Sequence, residues 1–389
     1  MFKVKTLNEI SPLYKNILTE AEYAVSKEEA QPDAIIVRSA DMHEMEVPET
    51  LLAVGRAGAG YNNIPVAEYG KKGIVAFNTP GANANAVKEL AIAALLLGSR
   101  DIVGGIEWCK TIKDEGDAVP KLVEKGKNKF VGPELMGKSL GVIGLGGIGG
   151  LVANAAIRLG MKVYGYDPYI SVDNAWKLSR DIVHASSEDQ IYETCDYVTI
   201  HVPLMDSTKG SFNASVFAKM KKGAVLLNLA RGELVVNKDL LEALQSGQLR
   251  RYVTDFPNAE IIGQPGVIAI PHLGASTPES EDNCVEMVSH QLDDYLKFGA
   301  IRNSVNYPAC ELSPGFRYRV TVMHANVPNT IGTISSTIAA AGINIDNMVN
   351  KSRGEFAYSV FDLDDPVTPE LIEALSGLDM VYRVRNFTR

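Results

Sequence analysis

Three side chains in the second half of the chain have the types that acid–base chemistry on a hydroxy acid needs: Arg231 in NLARGE, Glu260 in DFPNAE and His272 in IPHLGAST. Arg231 and His272 directly follow strand-like runs, 224–230 and 267–271, and an open α/β sheet places its ligands at such strand ends. The planar fork of Arg231 can pair with a carboxylate and polarise the adjacent carbonyl. Histidine exchanges a proton near neutral pH, which suits His272 to act as base and then acid. Glu260 can hydrogen-bond an imidazole, fix its tautomer and favour its charged form. Taken singly, each has a plainer reading as a loop arginine, a loop carboxylate or one of six histidines. As a set they supply the cation, the acid–base and the orienting group for removing hydrogen from a 2-hydroxy acid.

Such chemistry needs a hydride acceptor, and residues 140–167 read as a site for one. An apolar run, Leu140 to Ile143, leads into Gly144-x-Gly146-x-x-Gly149, an amphipathic segment follows from Leu151 to Leu159, and a second strand, Lys162 to Tyr166, ends on Asp167. This is the dinucleotide fingerprint in its required strand–helix–strand context. Gly144 serves the tight turn, Gly146 the approach of backbone to the pyrophosphate, and Gly149 the close packing of helix on strand. The helix start offers N–H groups to the phosphates. Asp167 can accept from both adenosine ribose hydroxyls and would repel a 2′-phosphate, so the expected cofactor is NAD rather than NADP.

These groups must be carried by more than one domain, because 389 residues exceed one comfortable core. A net charge of −9 argues against a nucleic-acid or anionic-membrane partner. Cys109, Cys195, Cys284 and Cys310 are scattered without a CxxC pair, so they read as buried thiols in a reducing, cytoplasmic setting, with neither disulfides nor a metal site. No apolar run is long enough to span a bilayer. Strand-like runs at 34–39, 51–60 and 73–81 alternate with helix-compatible segments, which predicts a small parallel α/β unit. Ala84 to Arg100 and Pro278 to Phe298 read as long helices, the second returning to the first domain. Five or six strands around the fingerprint predict a doubly wound sheet. Tyr307-Pro308 and Ser313-Pro314-Gly315 mark a linker, after which 317–389 reads β-α-β-β-α-β, the ferredoxin-like arrangement.

The fingerprint, NLARGE, DFPNAE and PHLGAST, in this order, resemble the NAD-dependent D-2-hydroxyacid dehydrogenases, and VRSA (37–40), GRAGAGYNNI (55–64) and GKSLGVIGLGGIG extend the likeness along nearly the whole chain. The resemblance implies an α/β protein of two Rossmann-like or flavodoxin-like doubly wound parallel-sheet domains with a C-terminal ferredoxin-like domain. It places a discontinuous substrate domain at 1–88 and 277–305, an NAD domain at 89–276, a linker at 306–316 and an ACT-like regulatory domain at 317–389. It assigns catalysis to Arg231, Glu260 and His272, and Asp255 to the nicotinamide carboxamide. Gly147 and Ile148 join the fingerprint glycines at the pyrophosphate, and Val202, Leu229, Ala230, His272, Gly274 and Ala275 line the cofactor. The backbone of Ala57, Gly58, Ala59 and Gly60 would hold the substrate carboxylate, with Ser39 and Asn83 nearby.

With its regulatory tail, the implied reaction is oxidation of 3-phospho-D-glycerate to 3-phosphohydroxypyruvate with NAD, which opens serine synthesis. Arg38 is the candidate phosphate anchor, helped by Lys127 or Lys129; a second arginine that some relatives carry is here Ala40. The alternatives are a glyoxylate or hydroxypyruvate reductase and an NADH-sensing, corepressor-like binding protein. In the tail, His324, Asn326 and Asn344 fall on positions that hold L-serine as effector in ACT domains, although Pro328-Asn329 replaces the usual Pro-Gly. The family also implies a homodimer or homotetramer.

Overall fold

The computed structural model describes residues 1–389. The chain folds into two compact units, one made of Met1–Asn83 with Pro278–Arg389 and the other of Ala84–Thr277.

The Ala84–Thr277 unit is built on a seven-stranded, wholly parallel sheet. Its spatial order is Val267–Ala269, Leu249–Thr254, Ala224–Asn228, Tyr197–Ile200, Ser139–Ile143, Lys162–Tyr166, Val183–His184. Every residue of the three central strands is buried. Strands covered on both faces read as continuous apolar runs, which is how LGVI, YVTI and AVLLN appear in the sequence. One apolar core centres on Ile191, Phe217, Leu226 and Leu240, and a second on Leu95, Val152, Leu227 and Val253. The seventh strand escaped the sequence reading because it has only two residues, both exposed. The chain order reverses between Ser139–Ile143 and Tyr197–Ile200, so the fingerprint lies at the switch point where doubly wound sheets bind ligands. The segment before the fingerprint carries the helices Ile102–Thr111 and Val119–Gly126.

The other unit holds a five-stranded parallel sheet ordered Tyr23–Ser26, Phe2–Thr6, Ala34–Val37, Ala53–Arg56, Val75–Phe77. This is the flavodoxin-like order. The helix Pro278–Phe298 covers one face with Val285, Val288, Leu292 and Tyr295. Residues 318–388 form an antiparallel sheet ordered Ile345–Arg353, Phe356–Leu363, Tyr318–Ala325, Val381–Thr388, with the helices Thr330–Ala340 and Pro369–Ser376 on one face. The connectivity is ferredoxin-like.

The opposite face of that sheet is not free. Met323, Phe356, Tyr358 and Val360 share one core with Val4, Phe77 and Tyr295 of the first sheet and its covering helix. Tyr307 Oη donates to Gly70 O at 2.6 Å, Tyr358 Oη to Gly299 O at 2.8 Å, and Arg385 to Tyr295 O and Leu296 O. Tyr307, read from its proline as linker, is fully buried. The segment expected to stand apart is welded to the first sheet. Its central strand FAYSVFDL is buried at all eight positions, a pattern that announces two covered faces without saying what covers the second. Of the four cysteines, Cys195, Cys284 and Cys310 are buried, but Cys109 is exposed on the helix Ile102–Thr111, contrary to the reading of all four as buried.

Candidate functional site

The fingerprint folds as strand, tight turn and helix. Gly144 has φ 89°, and its N–H donates to Tyr166 O at 2.9 Å. A Cβ at Gly149 would stand 1.8 Å from Gly144 O, so only glycine lets the helix Gly147–Arg158 start this close to the strand. A Cβ at Gly146 would meet nothing within 4 Å. Gly146 is also the N-cap, with no side chain to satisfy the first-turn N–H groups at Gly147 and Ile148. This open space beside unsatisfied helix donors fits a pyrophosphate. Asp167 accepts from Leu145 N and Tyr169 N, both at 2.9 Å, so it fixes the glycine turn. Val202 is half-buried, Leu229 is buried and Ala230 half-buried at the neighbouring strand ends.

At the ends of Ala224–Asn228 and Leu249–Thr254 stand Arg231 and Asp255. Arg231 is exposed; its guanidinium donates to Ala230 O at 2.6 Å and lies 5.9 Å from the Phe256 ring centroid. The exposed His272 packs its imidazole on the same Phe256 ring, with centroids 4.6 Å apart. Phe256 thus gathers Arg231 and His272, a role invisible in the sequence beyond its place after Asp255. Asp255 is almost fully buried. Burial pushes its carboxyl above the usual carboxylate range, against the pull of the Gly274 N–H, His272 and Arg231. Oδ2 accepts from Gly274 N at 3.1 Å, whereas Oδ1 is buried without a partner. An orphaned acceptor here fits the amide donor of a nicotinamide carboxamide.

Glu260 is not joined to this group. Its Oε2 accepts from Asn237 Nδ2 at 2.7 Å, and no hydrogen bond links it to His272. The expected Glu–His contact is therefore absent in this arrangement, and Asn237, at the start of the helix Asn237–Gln245, is a partner that sequence reasoning missed.

In the other unit, Arg38 leaves the strand Ala34–Val37 and pairs with Glu281. The N–H groups of Arg38, Ser39 and Ala40 converge on Asn8 Oδ1. In the loop after Ala53–Arg56, Ala57 N–H donates to Val37 O and Gly58 N–H to Arg56 O, whereas those of Ala59 and Gly60 make no backbone hydrogen bond. Gly58 has φ 158°, and a Cβ there would come within 2.2 Å of the Arg56 guanidinium, so a second arginine lies against this loop. Asn83 Oδ1 is buried without a partner. Lys127 is exposed and tied to Glu124, and Lys129 is exposed.

In the C-terminal sheet, His324 is buried, with Nε2 on Ser359 Oγ at 2.9 Å and Nδ1 on Ala325 O at 2.8 Å. Burial holds its imidazole below the usual histidine range. Asn326 donates to Gly354 O and Asn344 to Asp364, so no hydrogen bond joins the three residues. Asn329 adopts the left-handed conformation, φ 67°, at the N-cap of Thr330–Ala340.

Residues 95–274 match the family described as D-isomer specific 2-hydroxyacid dehydrogenase, NAD binding domain. That segment is therefore similar to the NAD-binding domain of that family, in agreement with the fold and the fingerprint. More particularly, the chain is similar to D-3-phosphoglycerate dehydrogenases. It is 35% identical to that of Rattus norvegicus over 81% of this chain and 60% of the relative, and 34% identical to that of Bacillus subtilis over 71% and 52%. The chain thus spans between half and three-fifths of these curated relatives. The NAD+-bound 3-phosphoglycerate dehydrogenase of Entamoeba histolytica superposes with a TM-score of 0.61 at 26% identity, over 78% of this chain and 98% of that one. The apo D-mandelate dehydrogenase of Rhodotorula graminis, at 22% identity and a TM-score of 0.66, shares the fold.

Proposed function

We propose that this protein oxidises 3-phospho-D-glycerate to 3-phosphohydroxypyruvate with NAD, the opening step of serine synthesis. The observation that carries this reading is the convergence of Arg231 and His272 on Phe256, beside the orphaned Oδ1 of Asp255. NAD, when bound, supplies the acceptor for the hydrogen leaving C2. Gly144, Gly146 and Gly149, the Gly147 and Ile148 amides, Asp167 and Asp255 would hold it.

Arg231 pairs with the substrate carboxylate and polarises the C2 oxygen. Neutral His272 takes the C2 hydroxyl proton on an imidazole nitrogen. Glu260 swings from Asn237 to accept from the resulting imidazolium and stabilise its charge. The Ala59 and Gly60 amides are the proposed carboxylate donors of the other unit, and Arg38 is its phosphate anchor. The likeness to D-3-phosphoglycerate dehydrogenases over four-fifths of the chain supports the phosphorylated substrate.

One observation favours a reductase of unphosphorylated 2-oxo acids instead: Arg38 is already neutralised by Glu281. Incubation with NAD and either 3-phospho-D-glycerate or D-glycerate separates the two. NADH formation from the phosphorylated acid alone supports the first reading, and formation from D-glycerate alone supports the second.

The exposed apolar stripe Ile102, Val103 and Ile106 on the helix Ile102–Thr111 supports a homo-oligomer. We assign His324, Asn326 and Asn344 to an L-serine effector site, tested by adding serine to the assay. The occupied bonds of all three residues make rearrangement a condition of binding. A cytoplasmic location accords with the absence of any helix long and apolar enough to cross a membrane and with four unpaired cysteines.

A further inference from the structure

At the strand ends of the first sheet, groups suited to hold an anion are occupied by the chain's own oxygens. The Arg38 guanidinium is paired with the carboxylate of Glu281, in the first turn of Pro278–Phe298. The successive N–H groups of Arg38, Ser39 and Ala40 point at one atom, Asn8 Oδ1, at 3.3, 3.0 and 3.0 Å. Consecutive amides aimed at one point make an anion-binding concavity, and here a side-chain amide oxygen fills it. Asn8 reaches it from a left-handed backbone, φ 72°, a conformation asparagine tolerates better than most residues. The Arg38 and Glu281 side chains are each 38% exposed, so a dissolved anion can compete for the guanidinium. Its fork takes a phosphate as well as a carboxylate.

We propose that Glu281 is an internal competitor for Arg38, whose carboxylate holds the guanidinium until the phosphate of the substrate displaces it. This deepens, and rests on, the reading of Arg38 as phosphate anchor. A phosphate brings close to two charges and three acceptor oxygens, against the single charge of the carboxylate. A 2-oxo acid bearing only a hydroxyl at C3 cannot make that exchange, so it leaves the pair closed. The competition therefore responds to charge rather than to size, and it tempers the preference for the phosphorylated acid. Removing the Glu281 charge while keeping its shape frees Arg38 in advance and relieves repulsion of the incoming phosphate. Only the phosphorylated ligand benefits. The plainer account is that an acid in the first turn merely complements the helix dipole, and it predicts no difference between substrates.

The test measures KM for 3-phosphohydroxypyruvate and for hydroxypyruvate with the full chain, Glu281→Gln, Arg38→Ala and the double variant. Glu281→Gln is expected to lower the ratio of the phosphorylated to the unphosphorylated KM by roughly three- to tenfold, the scale of a half-exposed ion pair plus the relieved repulsion. The Ki of inorganic phosphate as competitor should fall by a similar factor, and both effects should vanish in the Arg38→Ala background. An unchanged ratio, a raised KM for the phosphorylated acid, or an effect that persists without Arg38 overturns the competition. If Arg38→Ala shifts the ratio while Glu281→Gln is silent, only the competition is lost. If Arg38→Ala itself leaves the ratio unchanged, the anchor reading falls with it.

Discussion

Glu260 accepts its side-chain hydrogen bond from Asn237, at 2.7 Å, and not from His272. The residue proposed to stabilise the imidazolium is thus parked on a neighbouring helix start, and a rotation must bring it to its partner. Glu260→Gln should cut turnover roughly ten- to a hundredfold, the usual cost of losing an orienting carboxylate. Asn237→Ala should leave turnover nearly intact. If Asn237→Ala costs as much as Glu260→Gln, the Asn237-bound position is itself the working one.

His272 carries the proton transfer in this account. His272→Ala should lower kcat by about 10²–10⁴, the range for a positioned general acid–base. Its packing on Phe256 is peripheral to the fingerprint, so NADH binding, followed by fluorescence, should survive. Loss of cofactor affinity in step with activity contradicts the assignment.

The two fingerprint glycines should fail in different ways. Gly149→Ala forces a Cβ to within 1.8 Å of Gly144 O and should lower the melting temperature. Gly146→Ala meets nothing in the ligand-free protein, so its melting temperature should hold while NADH affinity drops. Equal destabilisation by both substitutions means the space over Gly146 is not the pyrophosphate cradle.

In the proposed reading, Asp167 sets the choice between NAD and NADP. Asp167→Ala removes a charged acceptor, an interaction of about 1.5–3 kcal/mol, so the preference for NAD should shrink roughly tenfold or more. Because Asp167 also holds Leu145 N, some loss of absolute affinity should accompany the change. Comparing kcat/KM for the two cofactors checks this, and an unaltered ratio contradicts it.

Burial pushes the His201 imidazole down to about 4, and its Nε2 contacts Thr199 Oγ1 at 3.0 Å. An unfolded histidine takes its proton near pH 6.5. Between those values the unfolded chain binds a proton that the folded chain refuses, so stability falls as pH drops from about 6.5 to 4 and does not fall further on this account below 4. The loss is on the order of 3 kcal/mol. Denaturant midpoints across this window should show it, and His201→Asn should flatten the slope; an identical slope in the variant assigns the loss to other groups.

How far the sequence spoke depended on whether the signal was local. The fingerprint announced itself because Gly144 and Gly149 answer local backbone demands in a fixed spacing, and the helix Pro278–Phe298 showed both of its ends in the pattern. The ferredoxin-like order of 317–389 was legible from alternating elements. Its docking through Met323, Phe356 and Tyr358 was not, since apolar positions do not name the surface they meet. The polar partnerships were equally hidden. Asn237 with Glu260, Asn8 with Ser39, and Glu281 with Arg38 are separated by 23, 31 and 243 positions, and no spacing rule links such pairs.

The most direct test of the central claim is NADH oxidation with 3-phosphohydroxypyruvate and hydroxypyruvate side by side. A large kcat/KM advantage for the phosphorylated acid is the predicted result. Equal or reversed preference contradicts it and places the protein among reductases of unphosphorylated 2-oxo acids.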